Sequence, residues 1–335
     1  MSSFCTDENS PFALLDHASL LDCSSPEGKE ISKFKVIRGG LTPEHLDPIA
    51  SRNWKSVLSW ITFHADEVSS FVDREGQSVL HHACLFRAPL DIIEAILFSA
   101  PELAEQGNDQ GELPLHWAVR LSLPTQVLAL LLEANSKSGL AKDRDGFIPL
   151  MLLWDRFKKT LIDVHRIYGP EKVVSFSEWK LMMMMVEAYI EDSDVTNFPL
   201  HTIAQCPCDL SFLEFSMEMF HNKIRQRDSK GSLPLHLACS SLLGADLLEV
   251  ILEAYPGAAF VTDGKGNLPL LLAIASGREW HEGLEPIFAA NPQAITCRDS
   301  EEFLYPFMLA ATRDNRSLCT IYELLRGNPE FVRTV

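Results

Sequence analysis

One group of histidine and cysteine residues has the side-chain types that hold a metal ion. His201, Cys206, Cys208 and His221 follow one another at spacings of five, two and thirteen residues. Zinc takes tetrahedral sets of such ligands, but paired cysteines in zinc sites usually have two to four residues between them. The Cys-Pro-Cys pair is tighter than that, and His201 also occupies a place that recurs along the chain. The pattern therefore gives a zinc site only weak support.

A second group, His81-His82-Ala83-Cys84, combines the residue types of a thiol nucleophile and its base. Residues one and three apart on a helix do not converge well, and no orienting acid or oxyanion loop accompanies them. Cys84 and Cys239 each lie three residues after a recurring histidine place, where we expect buried and inert thiols. The sequence also has no phosphate-binding loop, His-Glu-x-x-His run or Gly-x-Ser-x-Gly run. We therefore predict that the protein is not an enzyme and uses no cofactor.

The recurring place belongs to a repeated Pro-Leu-His tripeptide. It occurs at 114–116, 199–201 and 234–236, with a weaker copy at 79–81, and three further copies keep the place but lose the imidazole. We call the third residue of each copy the slot. The slots are His81, His116, Met151, His201, His236, Leu271 and Met308, at spacings of 35, 35, 50, 35, 35 and 37 residues. A histidine that recurs in this way is predicted to be a structural residue at a helix start.

A turn marker runs in phase with the slots. An acidic residue or Asn precedes Gly by three positions at Asp73/Gly76, Asn108/Gly111, Asp143/Gly146, Asp228/Gly231 and Asp263/Gly266, with degraded copies at 194/197 and 299/302. Aspartate at a turn start bonds the backbone two residues on, and glycine tolerates the left-handed conformation. Proline then starts a helix, and apolar residues three and four apart predict a second one. Such a unit covers its apolar faces only when it is stacked on its neighbours.

A turn plus two helices at this period, with Pro-Leu-His-x-Ala at the first helix, resembles an ankyrin repeat. The closing segments such as "AYPGAAFVTD" are similar to those of ankyrin proteins expanded in diatoms and related algae. The resemblance implies an all-α fold, an ankyrin-type α-solenoid of about seven helix-turn-helix repeats joined by β-turn loops. The family prefers Thr before the Pro, whereas apolar residues such as Leu113 and Leu233 stand there in this chain. We therefore expect an apolar contact to replace the usual polar network.

The repeats divide the chain into a leader, a cap and an array. Residues 1–36 are predicted to be a disordered leader, and residues 37–72 to be N-terminal capping helices. The array covers 73–335, and its units, numbered 1 to 7, are predicted at 73–107, 108–142, 143–193, 194–227, 228–262, 263–298 and 299–335.

Unit 3 carries an insertion of about fifteen residues, because the slot spacing there is 50 rather than 35. We expect an extended first helix to about Tyr168, a loop at Gly169–Pro170 and a second helix around Glu178–Ile190. The basic residues near Arg156 are either a site for an acidic peptide or solvated charges on a tolerated loop expansion. Met182–Met185 is predicted mainly to fill the core, since four consecutive helical residues point in all directions.

Charge and composition narrow the class of partner. The net charge is −17, and an acidic chain repels phosphate backbones, so nucleic acid is excluded as a main partner. Eight scattered cysteines indicate free thiols in a reducing compartment. No signal peptide or membrane-spanning run is visible, which predicts no membrane partner and a cytoplasmic, or nuclear, location. We expect a monomer.

The resemblance implies a non-catalytic protein-protein interaction module, an adapter or scaffold that binds a partner on the concave face of the array. The alternative is a metal-dependent or catalytic regulator that uses the 156–193 insertion and the His201/Cys206/Cys208/His221 region. Binding positions carried over from the family are the turn tips and the residues four and five after each slot. They are Arg74, Glu75, Gln77, Phe86, Glu112, Arg120, Arg144, Phe147, Arg156, Lys230, Lys265, Asn267, Phe303 and Arg313.

Overall fold

A computed structural model of the chain describes residues 49, 51–189, 198–241, 243–312 and 317–327. The described residues form helices and turns and contain no strand, only an isolated bridge between Val72 and Ser78. This confirms the predicted all-α fold class. The helices, numbered in chain order, are α1 (Trp54–Phe63), α2 (Ala65–Ser70), α3 (Val79–Leu85), α4 (Leu90–Ser99), α5 (Pro114–Arg120), α6 (Thr125–Ala134), α7 (Pro149–Tyr168), α8 (Pro170–Val174), α9 (Ser177–Tyr189), α10 (Pro199–Ile203), α11 (Leu210–Met219), α12 (Pro234–Ser240), α13 (Ala245–Ala254), α14 (Pro269–Ala275), α15 (Leu284–Ala290), α16 (Pro306–Thr312) and α17 (Leu318–Gly327).

Each unit whose tip the structure describes opens with a hairpin that an Asp or Asn side chain closes. In unit 1, Oδ1 of Asp73 accepts the backbone N–H groups of Glu75 at 2.9 Å and Gln77 at 2.7 Å, and Gly76 takes a φ of +77°. The same two bonds are made by Asn108, Asp143, Asp228 and Asp263. The repeated acidic residue therefore acts as a local backbone cap. The predicted tip of unit 4, at 194–197, lies outside the described residues.

The slot histidines start the first helices and join neighbouring units. In unit 5, Nδ1 of His236 accepts the N–H of Leu233 at 3.0 Å, so the proton of the neutral ring is on Nε2. That Nε2 donates to the carbonyl oxygen of Val261 at 2.9 Å, in the segment that closes the same unit. The Nε2 atoms of His81, His116 and His201 instead contact a carbonyl oxygen in the tip of the next unit. The apolar Leu233 before the proline is buried, as expected. The polar link between units nevertheless persists, because the imidazole caps the helix in place of a threonine hydroxyl.

The units stack in single file around one continuous core. The first helices α3, α5 and α7 pack on one another, as do α10, α12, α14 and α16. The second helices α4 and α6 pack together, and α11, α13 and α15 continue that layer. Apolar residues at helical spacing on both layers are buried, among them Ile93, Leu128 and Leu248. This is the arrangement that lets each unit cover the apolar face of the next.

Two helices precede the first tip, in the segment predicted as a cap. Helix α1 buries Val57 and Ile61 and packs on α4, the second helix of unit 1. It therefore occupies the place that a preceding second helix would take. The predicted leader at 1–36, and the start of the predicted cap up to residue 48, lie outside the described residues.

The insertion in unit 3 is a packed element. Helix α7 runs to Tyr168 as expected, and Gly169 turns the chain with a φ of +79°. The chain then forms α8, which the sequence did not predict, before the expected second helix α9. Met182, Met183 and Met185 are buried and Met184 is 38% exposed, which confirms their core-filling role.

Aromatic rings anchor this insertion to unit 4. The ring centroids of Trp154 on α7 lie 5.3 Å from Phe212 and 5.2 Å from Phe215, both on α11. Trp179 on α9 reaches the same two phenylalanines at 6.0 and 5.7 Å. Trp154 also donates its indole N–H to Oγ of Ser211 at 2.9 Å. Buried aromatic clusters of this size are strongly stabilising, so α7 and α9 fasten units 3 and 4 together.

Candidate protein-binding surface

The described hairpin tips and the exposed sides of the first helices make up the surface that we call the inner face. Among the residues predicted to bind a partner, those exposed on it are Arg74, Glu75, Arg120, Arg144, Arg156, Lys230, Lys265 and Phe303. Arg313 lies outside the described residues. The inner face therefore presents charged and aromatic side chains on a framework of capped turns and short helices.

Three predicted binding residues are instead buried and bonded within the protein. Gln77, Glu112 and Asn267 are 6, 8 and 5% exposed. The Gln77 amide donates to Glu75 at 2.9 Å, and Oδ1 of Asn267 accepts the N–H of Ser300 at 2.9 Å. Gln77 and Glu112 bond within their own units, and Asn267 bonds to the next tip. All three therefore offer a partner little surface.

The three predicted aromatic anchors differ in exposure. Phe303 is 68% exposed, because the tip of unit 7 is one residue longer and holds this residue at a φ of +57°. Phe86 is half-buried and stacks on His82 at a centroid distance of 6.5 Å. Phe147 is half-buried beneath the guanidinium of Arg120, which lies 5.8 Å from its ring centroid. Phe303 is thus the most accessible aromatic ring of the three.

An ion-pair network fills the inner face between units 2 and 3. Arg120 on α5 pairs with Glu112 in its own tip and donates to Oδ2 of Asp143 in the next tip at 2.9 Å. Glu112 also accepts from the indole of Trp117 at 2.8 Å and from the amide of Asn108 at 2.9 Å. One arginine therefore joins two tips, a role that sequence reasoning missed when it assigned Arg120 and Glu112 to a partner.

A smaller pair occupies the corresponding place in unit 1. His82 lies 3.0 Å from Oδ2 of Asp73, and both side chains are buried. Burial would raise the pKa of Asp73, but hydrogen bonds from His82 and from the N–H groups of Gln77 and Glu75 hold that pKa below its usual value. The carboxylate of this tip therefore already has hydrogen-bond partners within the protein.

Units 5 to 7 line an open cavity of about 220 Å³ on the inner face. Its walls come from first helices α12, α14 and α16 and from the tips of units 5, 6 and 7. Lining residues include Ser232, Ser240, Asp263, Ala275, Asp299 and Glu302. The sequence did not predict this cavity. Aligning the units could have indicated it, because Ser240 and Ala275 occupy the position that Arg120 has in unit 2.

In the described part of the chain, the residues proposed for a metal site or a thiol nucleophile are not assembled into either site. Cys206 donates its thiol to the carbonyl of Thr202 at 3.3 Å, and Nε2 of His201 is engaged with the carbonyl of Ser232 at 3.0 Å. Burial raises the pKa of Cys206 and raises that of Cys208 to about 12, while His221 is exposed. Across the described ranges, no three His, Cys, Asp or Glu side chains are grouped so that they could hold a metal ion.

The His81–Cys84 group is likewise built into the core. Burial raises the pKa of Cys84 to about 12 and lowers that of His81 to about 3, so the thiol and the imidazole are both neutral at pH 7. The His81 ring is held by Ser78 on one side and by Glu112 on the other. A thiolate nucleophile is therefore disfavoured here.

In the part of the chain that the structure describes, no helix combines the length and apolarity needed to cross a bilayer.

Comparisons with known proteins give a match among solved structures and none by sequence. No family model matches the sequence, and no curated protein matches it. Among solved structures, the crystal structure of the ankyrin repeat domain of Bcl-3, a unique member of the IkappaB protein family, matches 86% of this chain and 100% of that chain. The sequence identity is 15% and the TM-score is 0.31. The fold is therefore assigned from this chain's own units: a capped hairpin tip, a helix started by Pro or its substitute, and a second helix, stacked in single file, make it an all-α, ankyrin-type solenoid.

Proposed function

We propose that the protein is a non-catalytic interaction module that binds another protein on its inner face. The observation that carries the proposal is a set of exposed arginine and lysine side chains and one exposed phenylalanine, Phe303, on a surface whose backbone is fixed in advance. Arginine and aromatic side chains dominate the energetics of protein interfaces. A prearranged surface also loses less conformational freedom on binding, which favours affinity.

Hydrogen bonds between tips provide that prearrangement in units 1 to 3. The N–H of Asp109 donates to the carbonyl of Glu75 at 2.9 Å, and the N–H of Arg144 donates to that of Gln110 at 2.9 Å. Together with the capped turn inside each tip, these bonds fix the spacing of neighbouring tips. A partner that spans several units therefore contacts tips whose relative positions are already set.

The proposal includes an intracellular adapter or scaffold role in a reducing compartment. All six cysteines in the described residues are free, and three of them are buried. Buried unpaired thiols are ordinary in a reducing compartment and uncommon in secreted domains. The proposed module is a monomer, since it presents its inner face to a different protein.

Selection from a random 16-mer peptide library on the immobilised full chain tests this function. Enriched peptides are then titrated by fluorescence anisotropy against the wild type and against Arg144→Glu/Lys230→Glu, which reverses two exposed charges on the tips. The matched control is Lys55→Glu/Lys180→Glu, which makes the same change of charge at exposed positions of α1 and α9.

We expect the tip variant to weaken binding at least tenfold, or about 1.4 kcal/mol, and the control to change it less than twofold. Failure to enrich any peptide, or equal weakening by both variants, would contradict the proposed function.

A further inference from the structure

The repeat gives every inner-face position of one unit a counterpart in the others. Arg120 lies four residues after its slot, Glu112 lies four before it, and Asp143 begins the following tip. In unit 5 the counterparts are Ser240, Ser232 and Asp263, and all three line the cavity. The cavity therefore lies where units 2 and 3 place a guanidinium between two acidic groups.

Unit 6 repeats the substitution. The counterpart of Arg120 is Ala275, the counterpart of Glu112 is Asn267, and the following tip begins with Asp299. In units 5 and 6, serine and alanine occupy the position that holds arginine in unit 2. The space of two long side chains is therefore left open on the inner face. The cavity thus has a specific origin in the sequence.

Acceptor atoms face this space without partners. Both hydrogen bonds that the Asp263 side chain makes to described residues use Oδ1. Its Oδ2, which corresponds to the Asp143 atom that binds Arg120, has no hydrogen bond to a described residue. Ser232 is only 8% exposed, and its hydroxyl has no hydrogen bond to any described residue. Neither atom is among the fully buried polar atoms that lack a partner, so both are open to a donor that enters the cavity. A charged donor that reaches Oδ2 of Asp263 would form a charge-assisted hydrogen bond.

The remaining lining suits a long side chain with a cationic end. Leu237 and Leu272 contribute half-buried apolar surface to the lining, and Glu301 and Glu302 contribute exposed carboxylates. The single basic residue of the lining, Lys265, pairs with Glu301 at 3.0 Å, and both side chains are about 70% exposed. An exposed pair of this kind is worth little, so a stronger cation can displace it.

We propose that this cavity binds an arginine side chain from the partner protein, which takes the place that Arg120 fills from within in units 2 and 3. This inference rests on the proposed function and names the chemistry of the partner segment. The aliphatic part of the arginine lies on Leu237 and Leu272, and the guanidinium donates to Oδ2 of Asp263 and Oγ of Ser232. The cavity volume is below the roughly 300 Å³ at which small-molecule sites begin, which fits a single side chain.

Arginine fits these acceptors better than lysine. Its planar guanidinium carries five N–H donors and can bond two acceptors at once, whereas an ammonium is a compact point charge. The network of Arg120 with Glu112 and Asp143 is an internal example of the same geometry. The proposed partner segment is therefore basic, with an apolar residue beside its arginine.

The test uses the full chain and three acetylated tripeptide amides, Leu-Arg-Leu, Leu-Lys-Leu and Leu-citrulline-Leu, titrated by ligand-observed saturation-transfer NMR. Citrulline has the shape of arginine without its charge. We expect the arginine peptide to bind at least about tenfold more tightly than the citrulline peptide, with the lysine peptide between them. Equal binding of arginine and citrulline peptides would overturn the proposal.

Two variants locate the binding. Ser240→Arg places an internal guanidinium in the cavity and should abolish binding of the arginine peptide while leaving the melting temperature equal or higher. Asp263→Asn removes the charge but keeps the turn, since Asn108 makes the same turn bonds in unit 2, and should weaken binding about fivefold. Undiminished binding by Ser240→Arg would place the peptide elsewhere and overturn the proposal.

Other occupants give distinct results. A dimer of the wild type in sedimentation velocity that Ser240→Arg dissociates would assign the cavity to a second copy of the chain and overturn the partner assignment. If library peptides depend on Arg144 and Lys230 but the tripeptides show no preference for arginine, the proposed function stands and the arginine cavity fails. If the tripeptides prefer arginine but no library peptide is enriched, the cavity has no protein ligand and the proposal also fails.

Discussion

The Nε2 of His81 lies 2.9 Å from the carbonyl oxygen of Glu112, in the tip of the next unit. His116 makes the same contact to Phe147 at 3.3 Å, and His201 makes it to Ser232 at 3.0 Å. All three rings are buried and hydrogen-bonded within the protein. This confirms that the repeated histidines are structural, and it shows that they join one unit to the next as well as starting a helix.

Replacing a slot histidine should therefore destabilise the array. We expect His236→Ala to lower the free energy of unfolding by about 2–4 kcal/mol, because it leaves the N–H of Leu233 and the carbonyl of Val261 buried without partners. Urea denaturation followed by circular dichroism measures the change. The control is His281→Ala at an exposed histidine, which should cost less than about 0.5 kcal/mol. Equal midpoints for the two variants would contradict this role.

The same histidines predict how stability depends on pH. Burial lowers the pKa of His81 to about 3 and lowers those of His116, His201 and His236. In the unfolded chain these groups titrate near pH 6.5, so below that pH the unfolded state binds more protons than the folded state. The contribution of these histidines to the free energy of unfolding is therefore complete above about pH 7. It falls by up to about 1.4 kcal/mol per pH unit for each histidine as the pH drops below 6.5.

Urea midpoints between pH 7.5 and pH 5.0 test this prediction. The wild type should lose stability steadily over this range. His236→Leu, which copies the leucine that the next slot carries at Leu271, should start from a lower midpoint but lose less per pH unit, since one titrating group is gone. Parallel profiles for the two proteins would show that His236 does not titrate on unfolding.

Gly139 should tolerate no larger residue while Met185 is present. A methyl group on Gly139 would lie 2.6 Å from Cγ of Met185 and 3.2 Å from its Cα, so α9 would have to shift. We expect Gly139→Ala to cost about 1–3 kcal/mol in the free energy of unfolding. Gly244→Ala, with open space around the added methyl, should change it by less than about 0.5 kcal/mol.

A double-mutant cycle separates this clash from a general effect of alanine. Met185→Ala alone should also be destabilising, since the side chain is fully buried. The double variant should be more stable than the sum of the two single effects predicts, because the smaller side chain leaves room for the methyl group. Strict additivity would show that the two residues do not meet.

Arg278 is predicted to be the most sensitive arginine in units 5 and 6. It is 8% exposed, and its guanidinium donates to the carbonyl oxygens of Leu243 and Ser241 at 2.8 Å and of Glu282 at 2.9 Å. We expect Arg278→Met to lower the free energy of unfolding by about 2–4 kcal/mol, since three carbonyls lose their donor. The exposed control Arg144→Met should change it by less than about 0.5 kcal/mol.

The architecture was readable from the sequence because each unit carries its own local signals. The Asp73/Gly76 pair predicts a turn whatever surrounds it, and proline predicts where a helix begins. Helix α7 was predicted to Tyr168 because its apolar periodicity is unbroken. Helix α8 was missed because five residues are too few to show the apolar periodicity of a helix.

The inner face was less predictable, because its contacts join residues of different units. Arg120 and Glu112 have the charges of interface residues, and only the structure shows that Arg120 bonds to Glu112 and to Asp143 inside the protein. The exposure of Phe303 depends on one extra residue in its tip. The cavity of units 5 to 7 follows from the small size of Ser240 and Ala275. Neither residue belongs to a motif that would single it out in the sequence.

The aromatic block around Trp154 and Trp179 also bears on how the protein responds to mechanical load. A linear array has no contacts between distant units, so a force applied at its ends should peel modules away one after another. The block ties α7 and α9 to α11 through rings that must separate together. Stretching should therefore proceed inward from both termini and halt at this block, which would leave the centre of the chain as the last part to yield.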